Sequence, residues 1–234
     1  EVNDMRRGEG VFKKVMATMD RLKKYGLIFG TSICYTRKNI ETVTSDEFLD
    51  MIIGKGCRFT WYFHYMPVGN DAAPDLLPTK EQREYMYHRV REIRSMTGGK
   101  PIYAMDFQND GEFVGGCIAG GRNYCHINAN GDVEPCVFIH YSSANIREVT
   151  LLEALKQPLF MAYRDRQPFN DNHLRPCPML ENPEILQEMI KETGAKSTDL
   201  QSPESAEHLC SKCEAYACEW KETADRLWKE HPHQ

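Results

Sequence analysis

Apolar residues recur at helical spacing from Val11 to Tyr25 (Phe12, Val15, Met16, Met19, Leu22), and Gly26 ends the pattern, which predicts an amphipathic helix. Leu27 to Tyr35 is a short apolar run that reads as a buried strand. Thr44-Ser-Asp-Glu47 has the form of a capping box and opens a second helix through Ile53, closed by Gly54 and Gly56. The aromatic run Arg58 to Met66 predicts another strand, ending at Pro67-Val-Gly69. A third helix starts at Thr79-Lys-Glu-Gln82 and runs to about Met96, and Pro101 to Phe107 is again strand-like. Strands alternating with helices imply β/α units on a parallel sheet.

Past Phe107 the pattern changes. Gly111, Gly115-Gly116 and Gly120-Gly121 interrupt it, and Tyr124 to Asn128 and Asp132 to Phe138 read as short strands joined by the hairpin signal Asn130-Gly131. From Thr150 short helices dominate. Thr150-Leu-Leu-Glu153 caps one, Pro183 opens another that stops at Gly194, and a last one covers roughly Glu214 to Lys229 with Trp220, Leu227 and Trp228 on one side. A boundary near 108–116 is expected, giving domains 1–110 and 111–234. Three β/α units cannot close a barrel that needs about eight strands. The expected fold class is therefore α/β: a partial (β/α) barrel followed by a small cysteine-rich α+β domain.

Composition narrows the function classes. The chain has 234 residues, 41% apolar, with a net charge of −5, and its mean hydropathy is −0.57. No run of about 18 apolar residues exists, so no membrane partner is expected, and the acidic balance gives no sign of a nucleic-acid surface. The basic residues Arg6-Arg7, Lys13-Lys14, Arg21 and Lys23-Lys24 read as the solvated face of a helix. No apolar segment preceded by basic residues acts as an export signal, so a cytoplasmic location is expected. The chain opens with Glu1 rather than methionine, so a processed product or a piece of something longer is expected.

Cysteine placement changes the picture most. Seven of the nine cysteines lie between Cys117 and Cys218, three of them in the run Cys210-Ser-Lys-Cys213-Glu-Ala-Tyr-Ala-Cys218. Thiolates bind metal, and two cysteines separated by two residues chelate one centre across a tight turn. His126, His140 and His173 sit close in sequence to Cys125, Cys136 and Cys177. A disulfide framework is the plainer alternative. It fits poorly, because the number is odd and the chain is long enough to build a core. Soft-ligand metal binding in a reducing compartment is the expectation, and zinc is a candidate, since His208 lies near enough in sequence to complete a site with Cys210, Cys213 and Cys218. Cys34 and Cys57 stand alone and read as small hydrophobes.

Four stretches resemble the C-terminal portion of a radical SAM enzyme with a SPASM or twitch-type auxiliary-cluster domain. Asp4-Met-Arg-Arg7-Gly8-Glu-Gly10-Val-Phe12 is similar to the segment after the fourth barrel strand of that superfamily, Ile28 to Tyr35 with Asn39 to its fifth strand, and Tyr62-Phe-His-Tyr-Met-Pro67-Val-Gly69 to its sixth. The most specific stretch is Gly116-Cys117-Ile-Ala-Gly120-Gly-Arg-Asn-Tyr-Cys125 with Asn130-Gly131-Asp-Val-Glu-Pro135-Cys136, similar to the start of the auxiliary domain. The resemblance implies a [4Fe–4S] cluster on Cys117, Cys125, Cys136 and Cys177, with Cys210, Cys213 and Cys218 supplying three ligands of a second centre, so one or two auxiliary clusters in all. It implies that Asp4, Arg7 and Asn39 contact S-adenosylmethionine or substrate in a full-length parent. It implies an oxidoreductase acting on a peptide or a small metabolite, with a missing N-terminal half-barrel as partner. The Cys-x-x-x-Cys-x-x-Cys motif and the Gly-Gly-Glu segment of the superfamily are absent from this sequence. The chain alone is therefore not expected to cleave S-adenosylmethionine, and its catalytic residues are unassigned.

The remaining polar candidates have plain readings beside functional ones. His64 points either into a barrel lumen or into a core, and Asp106, Gln108, Asn109 and Asp110 form a polar loop before the second domain. Arg164, Arg166 and Arg175 either steer an acidic substrate or solvate helix ends. Trp220 and Trp228 read as packing residues.

Overall fold

Three parallel strands, β1 (Gly30–Tyr35), β2 (Phe59–His64) and β3 (Tyr103–Asp106), lie side by side in the order β1-β2-β3, with Tyr35 opposite His64 and Tyr62 opposite Asp106. A computed structural model describes residues 2–230 of the chain. They divide into two units: one holds residues up to Tyr65 together with Glu81–Phe107, the other Met66–Lys80 together with the chain from Gln108 onward.

In the first unit, α1 (Val2–Arg7) and α2 (Val11–Lys24) precede β1, and α3 (Ile40–Thr44), α4 (Asp46–Gly54) and α5 (Lys80–Arg94) lie between the strands. Met19 of α2, Leu49 and Ile52 of α4, and Met86, Val90 and Ile93 of α5 pack with Tyr35, Tyr62 and Ala104 of the sheet around the buried thiol of Cys57. The sequence-predicted first strand is shorter than expected, because Leu27 and Ile28 are exposed and pairing begins only at Gly30. The predicted capping box at Thr44 shifts by one residue. Ser45 is the N-cap, accepting from the Phe48 N–H, while Thr44 closes the separate helix α3 and donates to the Ile40 carbonyl. On β2, Thr60, Tyr62 and His64 are buried, whereas Trp61 and Phe63 lie on the other face and stack with Phe107.

The second unit is built from short elements. After α6 (Gly111–Val114), β4 (His126–Ile127) and β5 (Val133–Glu134) form the antiparallel hairpin that Asn130-Gly131 signalled, with Gly131 at φ +93°. β6 (Tyr141–Ser142) follows, then α7 (Leu151–Ala154), capped by the Thr150–Glu153 box, α8 (Pro158–Arg166), and α9 (Pro183–Thr193), which ends at Gly194 in the left-handed region. β7 (Lys196–Ser197) pairs with β6. The last helix, α10 (Ala206–Glu230), begins eight residues before the expected Glu214, so Cys210, Cys213 and Cys218 are helical and not on a tight turn. Trp220 is fully buried and donates from Nε1 to the Leu174 carbonyl at 2.9 Å, which fixes α10 against the loop before α9. The excursion Met66–Lys80 is tied to this unit at the start of α10. The Gly69 N–H donates to Glu204 Oε2 at 2.9 Å, Lys212 Nζ donates to the Gly69 carbonyl at 2.8 Å, and Asn70 donates to Ser202. Among the described residues no helix is long and apolar enough to cross a membrane.

Candidate metal centre

Four structural devices shape the loop that carries Cys117. Gly115, Gly116, Gly120 and Gly121 all have positive φ, which coils the backbone through Cys117. Gln167, just past α8, donates from Nε2 to the carbonyls of Cys117 and Ala119 at 3.1 and 3.0 Å. Arg122 donates to the carbonyls of Val114, Gly115 and Cys117. The Gly120 N–H donates to the Pro135 carbonyl at 3.0 Å, which brings the loop beside Cys136. Cys177 lies in the Pro176-Cys-Pro178 loop, where its N–H donates to Glu181 Oε2 at 2.7 Å and its Sγ accepts from the Leu180 N–H at 3.4 Å.

Cys117, Cys136 and Cys177 are brought together. Burial pushes the Cys117 thiol up to about 12, and the charges of Cys136 and Glu181 add to the effect. Burial likewise raises Cys177 far above the usual thiol range, with Glu181, Cys117 and Cys136 adding to it. Cys136 is raised by burial while the Tyr124 hydroxyl, donating to its Sγ at 2.7 Å, opposes the shift. Three thiols from three separate segments thus stand neutral, Cys136 buried and Cys117 and Cys177 half-buried. Any metal that binds there must displace their protons.

Cys125 lies apart. It packs against the apolar cluster of Val133, Ala154 and Phe160, and burial alone raises its thiol. Cys210 and Cys213, three residues apart on one face of α10, are buried, and burial pushes both up to about 12. Cys213 feels the charge of Glu181, the same carboxylate that bears on Cys117 and Cys177. Cys218 is exposed among Lys221, Glu222 and Asp225, so the structure does not bring it to the face of Cys210 and Cys213. His208 is hydrogen-bonded from Nδ1 to Glu204 Oε1 at 2.7 Å. Two residues from Cys210 on a helix, it faces away from that thiol. Among the described residues no three or more His, Cys, Asp or Glu side chains close to the spacing of a single metal ion. One zinc ion bonded at about 2.3 Å needs sulfurs roughly 3.8 Å apart. A cuboidal cluster with irons at its corners holds its thiolates wider apart.

The hairpin beside the thiols carries a polar knot that the sequence did not reveal. Glu134 is fully buried, yet its carboxyl is held down at about 2: its bonds to His140, Thr198 and His126 outweigh the cost of burial. His140 is raised in turn, chiefly by Glu134. Asn128 donates to Glu134 Oε1 at 3.0 Å and so ties the two sides of the turn.

The residues expected to contact S-adenosylmethionine or substrate lie in the first unit. The Asp4 carboxylate accepts from the N–H groups of Gly10 and Phe12 at 3.0 and 2.7 Å, capping α2, and those bonds lower its acidity range. Asn39 accepts from the Thr36 N–H at 2.7 Å, three residues back, and donates to the Cys34 carbonyl, which ties down the turn after β1. Arg7 is exposed. A buried polar group does occur in the first unit, at the C-terminal ends of the strands. The Tyr35 hydroxyl donates to Asp106 Oδ1 at 3.3 Å, and His64 lies edge-on to Tyr35. Burial and the charge of the buried Arg83 push His64 down to about 3, so the neutral ring donates from Nδ1 to the Tyr65 carbonyl at 2.6 Å. Arg83 escaped the sequence reading because it sits in a strongly charged helix whose polar residues read as solvated.

The iron–sulfur cluster-binding family SPASM matches residues 117–179, the stretch that spans all three convergent thiols. That stretch is similar to a SPASM domain. The chain is also 30% identical over 144 residues to the mycofactocin maturase MftC of Mycolicibacterium smegmatis, which covers 59% of this chain and 36% of that protein. It is 23% identical over 195 residues to the AdoMet-dependent heme synthase of Oleidesulfovibrio alaskensis, covering 73% of this chain and 49% of that protein. The chain thus spans between about a third and a half of the length of these relatives. No solved structure matches it with significance. The SPASM match and the two relatives agree with the resemblance to the C-terminal portion of radical SAM enzymes.

Proposed function

We propose that the second unit holds an auxiliary [4Fe–4S] cluster on Cys117, Cys136 and Cys177, with Cys213 as the fourth thiolate. The chain then acts as the C-terminal part of a radical SAM oxidoreductase that modifies a peptide or small metabolite. One observation carries the ligand reading: three thiols from distant segments, Cys136 buried and Cys117 and Cys177 half-buried, influence one another, and the hydroxyl of Tyr163 has no hydrogen-bond partner among the described residues. Such a soft, all-thiol donor set suits iron and sulfide. Cys213 is preferred over Cys125 because Glu181 bears on Cys213, Cys117 and Cys177 alike, whereas Cys125 is embedded in apolar packing. When bound, the cluster supplies one-electron transfer or an anchoring iron. The protein's own contribution is to exclude water, hold the thiols and orient the loops around them.

The first unit fits the role of a partial (β/α) barrel, supported by its sequential parallel strands and the polar group at their C-terminal ends. Cleavage of S-adenosylmethionine is assigned to sequence outside this chain, which has no Cys-x-x-x-Cys-x-x-Cys. The test is anaerobic reconstitution with iron and sulfide, followed by metal analysis and Mössbauer spectroscopy of the wild type and single cysteine variants. Cys117→Ala, Cys136→Ala, Cys177→Ala and Cys213→Ala each lose the cluster signature, while Cys125→Ala and Cys218→Ala keep about four irons per chain. Loss in Cys125→Ala with retention in Cys213→Ala reverses the choice of fourth ligand. A colourless protein that retains zinc refutes the cluster itself.

A further inference from the structure

Tyr163 poses a question that an apolar core does not answer. It is fully buried on α8, with its ring against Gly120 and edge-on to Phe169 at 5.2 Å. Gly120 is required there, since a Cβ would stand 2.6 Å from the Tyr163 ring and its φ is +67°. The tyrosine hydroxyl, shut off from water, meets no hydrogen-bond partner among the described residues. A buried hydroxyl in that state is destabilising, and phenylalanine would fill the same space without the penalty. A phenol so enclosed has its O–H to donate and requires an acceptor. The groups whose charges reach it are Cys117, Cys136, Cys177 and Tyr124. Neutral thiols are weak acceptors, whereas thiolate and sulfide sulfurs on iron are strong ones. Tyr124 already shows the arrangement, with its hydroxyl donating to Cys136 Sγ at 2.7 Å.

We propose that Tyr163 is a positioning and tuning residue whose hydroxyl donates a hydrogen bond to a sulfur of the bound cluster. The inference rests on the cluster reading above. Donation stabilises the added negative charge of the reduced cluster, so Tyr163 raises its reduction potential. The donor is orphaned only while the thiols are empty, which couples loading to the order of α8 and the Gly120 loop.

The experiment uses the whole chain and its Tyr163→Phe variant, each as metal-free protein and after reconstitution with iron and sulfide. Metal-free Tyr163→Phe unfolds at a urea midpoint equal to or above that of the wild type. Once loaded, it holds iron and sulfide, its midpoint potential by spectroelectrochemical titration shifts negative, and the deuterium sensitivity of its Fe–S Raman bands falls. Loss of the cluster from a variant whose metal-free form is as stable as wild type supports the same conclusion through positioning. A lowered urea midpoint in the metal-free variant means the hydroxyl already has a partner, and overturns the proposal. Equal potentials and spectra with iron retained also overturn it, leaving the cluster reading intact. A wild type that takes up no iron overturns both.

Discussion

Replacing Gly120 with alanine separates two effects that usually arrive together. Gly120 and Gly194 sit in the same unit at nearly the same backbone angle, φ +67° and +64°. An alanine at either adopts the left-handed region at roughly 1–2 kcal/mol. The Cβ at Gly194 meets nothing within 4 Å, whereas the Cβ at Gly120 falls 2.6 Å from three Tyr163 atoms, in a ring held by Phe169. Forcing an extra methyl into such packing adds about 1–3 kcal/mol. Gly194→Ala is therefore expected to lose about 1–2 kcal/mol and Gly120→Ala about 2–5 kcal/mol in urea unfolding of the metal-free protein, with the slope unchanged. Adding Tyr163→Ala to Gly120→Ala should cost less than the sum of the two single changes, because the second removes what the first collides with. Equal losses for Gly120→Ala and Gly194→Ala, or strict additivity in the double variant, would refute the packing argument.

Other outcomes follow from single contacts. His64 is held at about 3 in the folded chain against 6.5 when exposed, so its contribution is complete above pH 6.5 and drains away as pH falls toward 3. At roughly 1.4 kcal/mol per pH unit the loss is on the order of 5 kcal/mol at most, and His64→Gln should flatten this part of a stability-versus-pH profile. Gln157 donates to the Val133 carbonyl and accepts from the Ser143 N–H; Gln157→Leu leaves the Ser143 N–H unmatched while the Val133 carbonyl keeps its bond from the Ser142 hydroxyl, and should cost about 1–3 kcal/mol by calorimetry or urea. Ser45→Ala removes the cap of α4 and should cost about 1 kcal/mol, read by circular dichroism during urea unfolding.

Local signals proved readable where one residue type has one physical use. The Thr150–Glu153 box, the Asn130-Gly131 turn and the Gly194 stop each act through backbone groups nearby, so a few letters suffice. The cysteine run from Cys210 misled for the opposite reason: its spacing suits a turn or a helix equally, and packing of Trp220 and Leu209 decided for a helix. Convergence of Cys117, Cys136 and Cys177 depends on Gln167 and the proline-flanked loop before α9, contacts 40 to 60 residues distant that no local pattern encodes. Buried Arg83 and Glu134 were hidden similarly, because a charged residue reads as solvated until the groups that satisfy it are known.

The excursion Met66–Lys80 makes both units discontinuous along the chain, with changes of allegiance after Tyr65, Lys80 and Phe107. A single scission at any point therefore frees neither unit. A gene fragment begun at Gln108 would leave the Glu204 carboxylate and the Lys212 ammonium without the Gly69 backbone that now engages them. Anyone isolating the cysteine-rich unit must graft that fifteen-residue strap back onto it by a linker or a circular permutation.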